Sequence, residues 1–461
     1  MNNIPQKLKF LNHSSLLIKS GDHFLLTDPW FQKPAFGSWL PTFPTYVHPV
    51  YLASLGAKLT ILISHGHDDH CDNDFLQLFD SQTKIVTAKF DSPSVINRLR
   101  KLGFNNFVEV DRIGKIINGF EIKSYIDKDI SHDDSLYTIK TTNSIVVHAN
   151  DMWHPIKEDV KKSIIKDVNL IGKDKTYYFS QTNSASGYPL TYKVDNAKEI
   201  LIEKVKGMIK CGVNNSVSLG VNNFFSYAGF ASIFVKNKLY ETLIPTGENI
   251  NKIYYPHNER DSSHKNVIIE NFIPGDELNL ISGKIQKAFV SSENYNTQFL
   301  ATKSELYYKK YGLVEDCDTY RISFDEDYCK NYLTKRLDKF LELFNDFILR
   351  KLDKLEGDYI YKTAIGKTFQ IFCPDIKQTS TLKIGKGIIT NLSKPNKKCI
   401  VDSSLMVSVI KGDILFENLY TGFEASWERY PENIYNRDII MFLIMFTYPF
   451  KNFLFKQIQN I

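Results

Sequence analysis

The chain has 461 residues, of which 43% are hydrophobic and 24% are charged, and its net charge is +5. This composition is ordinary for a globular protein and excludes a low-complexity chain. Basic residues are scattered among acidic ones, so the small positive charge does not indicate a nucleic-acid partner. The length predicts two or three domains with sizeable cores.

The first predicted element is a β-hairpin. Residues 10–18 and 24–30 are mainly apolar, and Gly21 and Asp22 lie between them. Two apolar runs around a glycine-containing turn are typical of paired strands.

The most informative segment is residues 64–70, which read Ser-His-Gly-His-Asp-Asp-His. The preceding apolar run, residues 59–63, is short and β-branched and predicts a buried strand, so the histidines are expected on a loop at its end. Imidazole and carboxylate are the ligands that zinc, iron and manganese take in proteins. His65 and His67 can converge on one cation, and Asp69 and His70 can reach a second. A merely His-rich polar turn is the alternative, but the chain has only 11 histidines and three lie here.

The following segments alternate between strand and helix patterns. Residues 84–87 predict a strand, and residues 94–102 and 194–211 predict helices. Together with the opening hairpin, this alternation predicts an α/β fold of the αββα type, with two sheets face to face and helices outside.

The pattern changes beyond about residue 300. Residues 332–355 predict a long helix, residues 364–405 predict short strands separated by turns, and helices return from residue 415. We interpret residues 1–290 as a catalytic domain and residues 300–461 as an additional C-terminal α/β domain of unknown role. Residues 427–431, Trp-Glu-Arg-Tyr-Pro, are expected to pack between the two domains, and contact with a substrate is the alternative.

Several features predict a cytoplasmic protein without a membrane partner. Residues 1–7 lack the apolar core of a signal peptide. The six cysteines form no Cys-x-x-Cys pair, which favours reduced thiols. The most apolar stretch, residues 439–446, is much shorter than the ~20 residues that a membrane-spanning helix requires, so we expect a buried helix.

The His-x-His-x-Asp-His spacing directly after a strand resembles the signature of the metallo-β-lactamase superfamily. Further segments resemble, in the same order, the CMP-N-acetylneuraminate hydroxylase branch of that superfamily: residues 27–30, 34–36, 180–189, 227–230 and 273–276. The resemblance covers about residues 5–280 and implies a metallo-β-lactamase-like αββα sandwich.

The resemblance also implies two more metal ligands by position. His132 takes the place of the third histidine of the first site, beside His65 and His67. Asp151, at the end of an apolar strand, takes the place of the carboxylate that bridges the two metals. The alternatives are a solvated loop histidine for His132 and a helix N-cap for Asp151.

The second site, with Asp69 and His70, lacks its expected last histidine. Near residue 227, where the superfamily has that ligand, this chain offers Asn222, Asn223 and Tyr227. We therefore expect the second site to be one ligand short, weakly occupied or empty, and the chain to bind one or two divalent transition metals.

The favoured function is that of a hydrolase. A zinc-type site lowers the pKa of bound water from ~16 to about 7, which makes hydroxide available at neutral pH. Asp69 and Asp151 are the candidate catalytic residues, and Asp69 either binds the second metal or, if that site is empty, orients the nucleophilic water. The expected substrate is small and polar or nucleotide-linked. The candidate substrate-binding residues are His13, Trp153, Ser186 and Tyr227.

The alternative is an iron-dependent oxygenase with one or two irons, since histidines and a carboxylate with vacant positions also suit Fe(II) and O₂. The hydroxylase branch carries a Rieske domain with Cys-x-His and Cys-x-x-His ligands. No cysteine of this chain precedes a histidine at either spacing. An oxygenase would therefore need electrons from a separate reductase partner, or a diiron site that draws them from the substrate or an external reductant. A non-catalytic metal-binding protein on the same scaffold is the third interpretation.

Overall fold

The computed structural model describes residues 6–31, 33–41, 47–126, 134–152, 154–184, 186–235, 238–240, 243–288, 309, 323–352, 363–390, 392–432 and 437–447. The predicted site residues His132 and Trp153 lie outside these ranges.

The first sheet contains eight strands: β1 (Gln6–Asn12), β2 (Ser15–Ser20), β3 (His23–Thr27), β5 (Leu59–Ile63), β6 (Lys84–Ala88), β7 (Phe107–Val110), β17 (Glu277–Asn279) and β18 (Ile285–Gln286). Their order is β18-β17-β1-β2-β3-β5-β6-β7. Strands β2 and β3 pair in antiparallel fashion, which confirms the predicted turn at Gly21 and Asp22. Residues 10–18, expected as one strand, are instead divided between β1 and β2 by a turn at His13 and Ser14. Strands β3, β5, β6 and β7 are parallel, so their carboxyl ends lie at one edge of the sheet.

The second sheet contains seven strands: β8 (Lys115–Ile117), β9 (Phe120–Ile126), β10 (Ser135–Lys140), β11 (Ile145–His148), β12 (Thr176–Gln181), β13 (Asn223–Tyr227) and β16 (Ile268–Glu270). Their order is β16-β13-β12-β11-β10-β9-β8. Strands β11, β12, β13 and β16 are parallel, so this sheet also gathers several carboxyl ends at one edge.

Successive side chains along each strand point to opposite faces of its sheet, so they pack alternately between the two sheets and against the outer helices. In β5, Leu62 packs between the two sheets with Phe120 and Phe225, whereas its neighbours Ile61 and Ile63 pack on the outer face. Three helices cover that outer face: α1 (Pro49–Ser54), α2 (Asn73–Leu76) and α3 (Ser94–Lys101). Two helices cover the outer face of the second sheet: α4 (Glu158–Ile171) and α5 (Ala197–Ser218). The predicted αββα sandwich is confirmed.

Smaller elements border the sandwich. A three-stranded sheet joins β4 (Trp39–Pro41), β14 (Ala231–Val235) and β15 (Lys238–Tyr240) in the order β15-β14-β4. Helix α6 (Gly247–Asn249) runs into a π-helix at Ile250–Tyr254. Short 3₁₀ helices occupy Gly56–Lys58, Lys173–Lys175, His257–Glu259 and His264–Asn266.

The C-terminal part forms an α/β unit with its own core. Its sheet contains β19 (Thr368–Cys373), β20 (Gln378–Lys383), β21 (Gly387–Ile389), β22 (Lys397–Ile400) and β23 (Ser426–Arg429), in the order β21-β20-β19-β22-β23. Its helices are α7 (Glu326–Leu352), α8 (Ser403–Lys411), α9 (Phe416–Tyr420) and α10 (Arg437–Thr447). Helix α7 begins six residues earlier than the pattern predicted, because the Asp325 side chain accepts a hydrogen bond from the backbone N–H of Tyr328. The interval between residues 290 and 300, where a domain boundary was predicted, lies outside the described residues.

The C-terminal unit is joined to the sandwich by buried polar contacts. The indole N–H of Trp39 donates to the carbonyl of Thr421 (2.8 Å), and Ser38 Oγ donates to the carbonyl of Gly422 (2.6 Å). Trp427 is fully buried, and its backbone N–H donates to the carbonyl of Thr191 (2.8 Å). The expected packing role of residues 427–431 is confirmed at Trp427.

Helix α10 packs inside the C-terminal unit, where Phe446 contacts Phe340 and Phe344 of α7. The buried helix expected there is confirmed. Across the described residues, no helix combines the length and apolar character needed to cross a membrane.

The close approach at Gly422 gives the first testable prediction. A Cβ at this position would lie 2.3 Å from the backbone oxygens of both Phe36 and Asn418. We expect Gly422→Ala to destabilise the protein by ~1–3 kcal/mol because backbone must move to accept it. The measurement is the free energy of unfolding in denaturant.

Gly207→Ala is the matched control. Gly207 lies inside α5 with nothing within 4 Å of its would-be Cβ. Alanine there should raise stability by about 0.5–1 kcal/mol, because glycine is a poor helix former. Equal stability of the Gly422→Ala protein and the unsubstituted protein would contradict the packing described.

Candidate metal centre

The predicted ligands come from loops that follow strands at adjoining edges of the two sheets. His65, His67, Asp69 and His70 follow β5, and Asp151 follows β11. The carboxylate of Asp28, directly after β3, accepts hydrogen bonds from Ser64 N–H and Ser64 Oγ, both at 2.7 Å. The loop after β5 therefore starts from a fixed point at the sheet edge.

A second anchor holds the far side of this loop. Arg98 of α3 donates to the carbonyl of Cys71 (2.6 Å) and to the carboxylate of Asp68 (2.9 Å), and it also bonds the carbonyl of Gly66. These bonds cross-link the loop from one end to the other, so the imidazoles between them are held in place.

The structure brings six of the side chains together as two clusters. His65, His67 and Asp151 form the first cluster, and His13, Asp69 and His70 form the second. In each cluster, one ligand atom from every residue lies within 4.8 Å of the others. His65 Nε2 is 2.7 Å from His67 Nδ1 in the first cluster. Asp69 Oδ2 is 3.2 Å from His13 Nε2 and 3.4 Å from His70 Nε2 in the second.

Asp151 belongs to the first cluster and also faces the second. Its Oδ2 is 3.9 Å from His65 Nε2, and its Oδ1 is 3.6 Å from His70 Nε2. One carboxylate oxygen thus faces each cluster, which is the arrangement that a bridging carboxylate requires.

His13 was missed as a member of the second cluster. From the sequence, His13 is expected to bind substrate, and the last ligand is expected near residue 227. The structure instead places His13 beside Asp69 and His70, because the turn between β1 and β2 lies at the same edge as the loop after β5. The backbone N–H of Ala228 donates to the carbonyl of His13 (2.8 Å), so the segment near residue 227 holds this histidine and supplies no side-chain ligand itself. A signal was present, since His13 follows an apolar strand just as the 64–70 segment does.

Side chains that no local sequence motif indicates orient the imidazoles. The Nδ1–H of His70 donates to Asp28 Oδ2 (3.1 Å), which leaves Nε2 facing the cluster. His65 Nδ1 is 3.0 Å from both Ser64 Oγ and Asn150 Nδ2. Such partners fix which ring nitrogen is free to bind a metal.

The backbone at this edge is unusually strained. His13, Asp28, Asn150 and Ala228 adopt φ angles of 37°, 38°, 52° and 50°, in the left-handed region that non-glycine residues rarely occupy. Strain of this kind persists where the surrounding structure enforces it, and it clusters at functional sites.

The residues present fit a divalent transition metal. Asp69 Oδ1, His70 Nε2 and Asp151 Oδ1 are buried and have no hydrogen-bond partner among the described residues. Buried polar atoms without partners are costly, so a group that binds them is expected. The combination of imidazole nitrogens and carboxylate oxygens suits zinc, iron and manganese.

The electrostatics agree with a site built for cations. The pKa of Asp151 is raised to about 7, chiefly by burial and with contributions from the carboxylates of Asp69 and Asp134, although the imidazole of His70 opposes this rise. Burial disfavours the charged form of His70, but the carboxylates of Asp69 and Asp151 outweigh it and raise its pKa well above the usual value. Burial, together with His70 and His67, lowers the pKa of His65, which keeps that imidazole neutral as a ligand must be.

The remaining predicted residues lie around or outside the clusters. Tyr227 is fully buried, and its hydroxyl accepts a hydrogen bond from the backbone N–H of Asn150 (2.5 Å), so it supports the turn before Asp151. Ser186 Oγ accepts a hydrogen bond from Lys204 Nζ (2.8 Å) in the loop after β12. His132 and Trp153 lie outside the described residues, and their roles stay predictions.

Comparison with known proteins gives a family match in the same region. Residues 7–202 match the model of the beta-lactamase superfamily domain. A protein of Mycolicibacterium smegmatis named as a Rieske 2Fe-2S iron-sulfur protein is 27% identical over 201 residues, which are 41% of this chain and 36% of that protein. The cytidine monophosphate-N-acetylneuraminic acid hydroxylase of Asterias rubens is 31% identical over 116 residues, 24% of this chain and 17% of that protein. The chain thus spans about a third or less of the length of these curated relatives.

Among solved structures, a possible metal-dependent hydrolase of Veillonella parvula resembles this chain with a TM-score of 0.40 and 12% identity, over 60% of this chain and 99% of that chain. All six clustered residues fall inside the family match at residues 7–202. The family match, the histidine signature after β5 and the αββα sandwich around it together assign residues 7–202 to the beta-lactamase superfamily.

Proposed function

We propose that this protein is a dinuclear metallohydrolase that acts on a small polar or nucleotide-linked substrate. The observation that carries the proposal is the position of Asp151, whose carboxylate directs one oxygen to each of the two clusters. Each cluster contains three candidate ligands. His65, His67 and Asp151 would hold one divalent ion, with His132 as a further proposed ligand, and His13, Asp69 and His70 would hold the other. When bound, such ions lower the pKa of water to about 7 and so supply hydroxide at neutral pH.

The two clusters differ in exposure, which indicates where a substrate binds. The side chains of His13, Asp69 and His70 are at most 3% exposed, whereas those of His67 and Asp151 are 37% and 16% exposed. The substrate therefore approaches from the first cluster, while the second stays sealed. Asp69 is held between His13 and His70, which favours a ligand role for it over that of orienting a water molecule.

Acidic side chains beside the first cluster make substrate binding depend on the metal. Asp134 lies 3.6 Å from His65, and Glu417 lies 3.5 Å from His67. With Asp69 and Asp151 they would repel an anionic substrate from a metal-free site, because like charges in a partly buried site interact strongly. Bound cations reverse this sign, so a phosphate or carboxylate group can then be attracted to the open side.

An iron-dependent oxygenase with electrons from a separate reductase is the second candidate. Sequence similarity to a named hydroxylase and a named Rieske protein favours it. The same imidazole and carboxylate ligands also suit iron. The chain's residues would bind the metals in the same way under both functions, so metal identity separates them.

The second testable prediction concerns the number of bound ions. The unsubstituted protein, reconstituted with zinc, should bind two ions per chain, and His13→Ala should bind one, because the second cluster loses a ligand. His65→Ala or His67→Ala should remove the ion of the first cluster and abolish activity. The measurement is metal content after gel filtration.

His257→Ala is the control, since His257 is exposed in a 3₁₀ turn and belongs to neither cluster. It should retain two ions. A His13→Ala protein that also retained two ions would remove His13 from the site and refute the assignment of the second cluster.

The third prediction separates the two reactions. Protein purified without oxygen should contain zinc and hydrolyse an ester or phosphodiester, with loss of turnover after chelation and recovery after zinc is returned. Iron in the purified protein, with oxygen consumption upon addition of a reductant, would overturn the hydrolase proposal in favour of the oxygenase.

A further inference from the structure

The C-terminal unit places a carboxylate against the first metal cluster. Glu417 is the second residue of α9, and the residue is only 5% exposed. Its Oε1 lies 3.5 Å from Nε2 of His67. The residues between these two positions include most of the chain, so only the docking of the C-terminal unit brings them together.

The orientation of the His67 ring determines which of its nitrogens faces Glu417. Its Nδ1 faces the first cluster, 2.7 Å from His65 Nε2, so Nε2 is on the side of the ring that points away from the cluster. A neutral imidazole that binds a metal through one nitrogen carries its proton on the other, and that N–H needs an acceptor. An ionised carboxylate is an acceptor only, which makes Glu417 suited to accept a hydrogen bond from this N–H.

Hydrogen bonds to the sandwich hold helix α9 in the position that keeps Glu417 beside His67. The carbonyls that follow it, on Thr421 and Gly422, accept hydrogen bonds from Trp39 and Ser38 of the sandwich. The ring of Phe36, in the same segment, lies 6.0 Å from the ring of His67 at an edge-to-face angle of 69°. The contacts that dock α9 and those that flank His67 therefore belong to one continuous surface.

We propose that Glu417 is a positioning residue, which fixes the ring orientation of His67 and strengthens Nδ1 as a metal donor. The C-terminal unit would then be an integral part of the metal centre. This inference rests on the proposed metal binding at the first cluster. The negative charge of Glu417 would also offset part of the charge of the bound cation.

The test is a Co(II) titration of the full-length protein, followed by its visible absorption and by competition with a chromophoric chelator. His13→Ala serves as a reference whose spectrum identifies the bands of the first cluster. We expect Glu417→Ala to weaken cobalt binding at the first cluster by about 10- to 100-fold and to shift its bands, as loss of a carboxylate behind a ligating histidine does. Glu417→Gln, which keeps an acceptor oxygen but no charge, should have a smaller effect.

Glu428→Gln is the matched control, because Glu428 lies in β23 of the same unit and contacts Lys398 instead of the cluster. It should bind cobalt like the unsubstituted protein. Circular dichroism of the metal-free variants checks folding, and if Glu417→Ala does not fold, the isosteric Glu417→Gln decides.

Two results would overturn the inference and are distinguishable. If the unsubstituted protein binds cobalt but the Glu417 variants match it in affinity and spectrum, Glu417 does not position His67 and the proposed function stands. If the unsubstituted protein binds no cobalt, the proposed function fails, and this inference fails with it.

Discussion

The metal centre depends on a buried carboxylate that is not itself in either cluster. Asp28 is fully buried, which would be costly for an ionised group without partners. It accepts two hydrogen bonds from Ser64 and one from His70, and its backbone N–H donates to the carbonyl of Leu62. These bonds connect β3 to the loop after β5 and fix the ring of His70. The positions of the ligands on this loop therefore depend on Asp28.

The two sheets contribute different residues to the metal centre. The first sheet supplies both loops of the second cluster, at His13 and at Asp69 and His70. The second sheet supplies Asp151 through the turn after β11, which Tyr227 supports from behind. Because Asp151 follows a strand of the second sheet and the other clustered residues follow strands of the first, the position of its carboxylate relative to both clusters is set by how the two sheets pack. The core between the sheets is therefore a determinant of the metal site as well as of stability.

Local sequence patterns were sufficient to predict those strands and helices in which apolar side chains recur at regular intervals. The opening hairpin, strand β5, helix α3 and the αββα layering follow from such patterns. Helix α5 was predicted to end near residue 211 but continues to Ser218, because its polar last turns are held by tertiary contacts. The Asn215 side chain there accepts from the N–H of Ile156 (3.1 Å) and donates to the carbonyl of His154 (3.0 Å). Such side-chain hydrogen bonds cannot be predicted from the spacing of apolar residues.

The same distinction applies to the candidate site. The ligands within residues 64–70 and Asp151 were found in the sequence because their motif is local and follows a strand. His13 and Glu417 were not, because their proximity arises from the pairing of distant strands and from the docking of a separate α/β unit. Asp28 follows an apolar strand in the same way as Asp151, yet its neighbours give no indication that its carboxylate turns inward.

The most direct test of the dinuclear assignment is a crystal structure of the metal-loaded protein with anomalous diffraction recorded at the absorption edge of the bound metal. The account predicts two anomalous peaks, one beside His65 and His67 and one beside His13 and His70, with the carboxylate of Asp151 between them. A single peak, or a second peak that His13 does not contact, would contradict it.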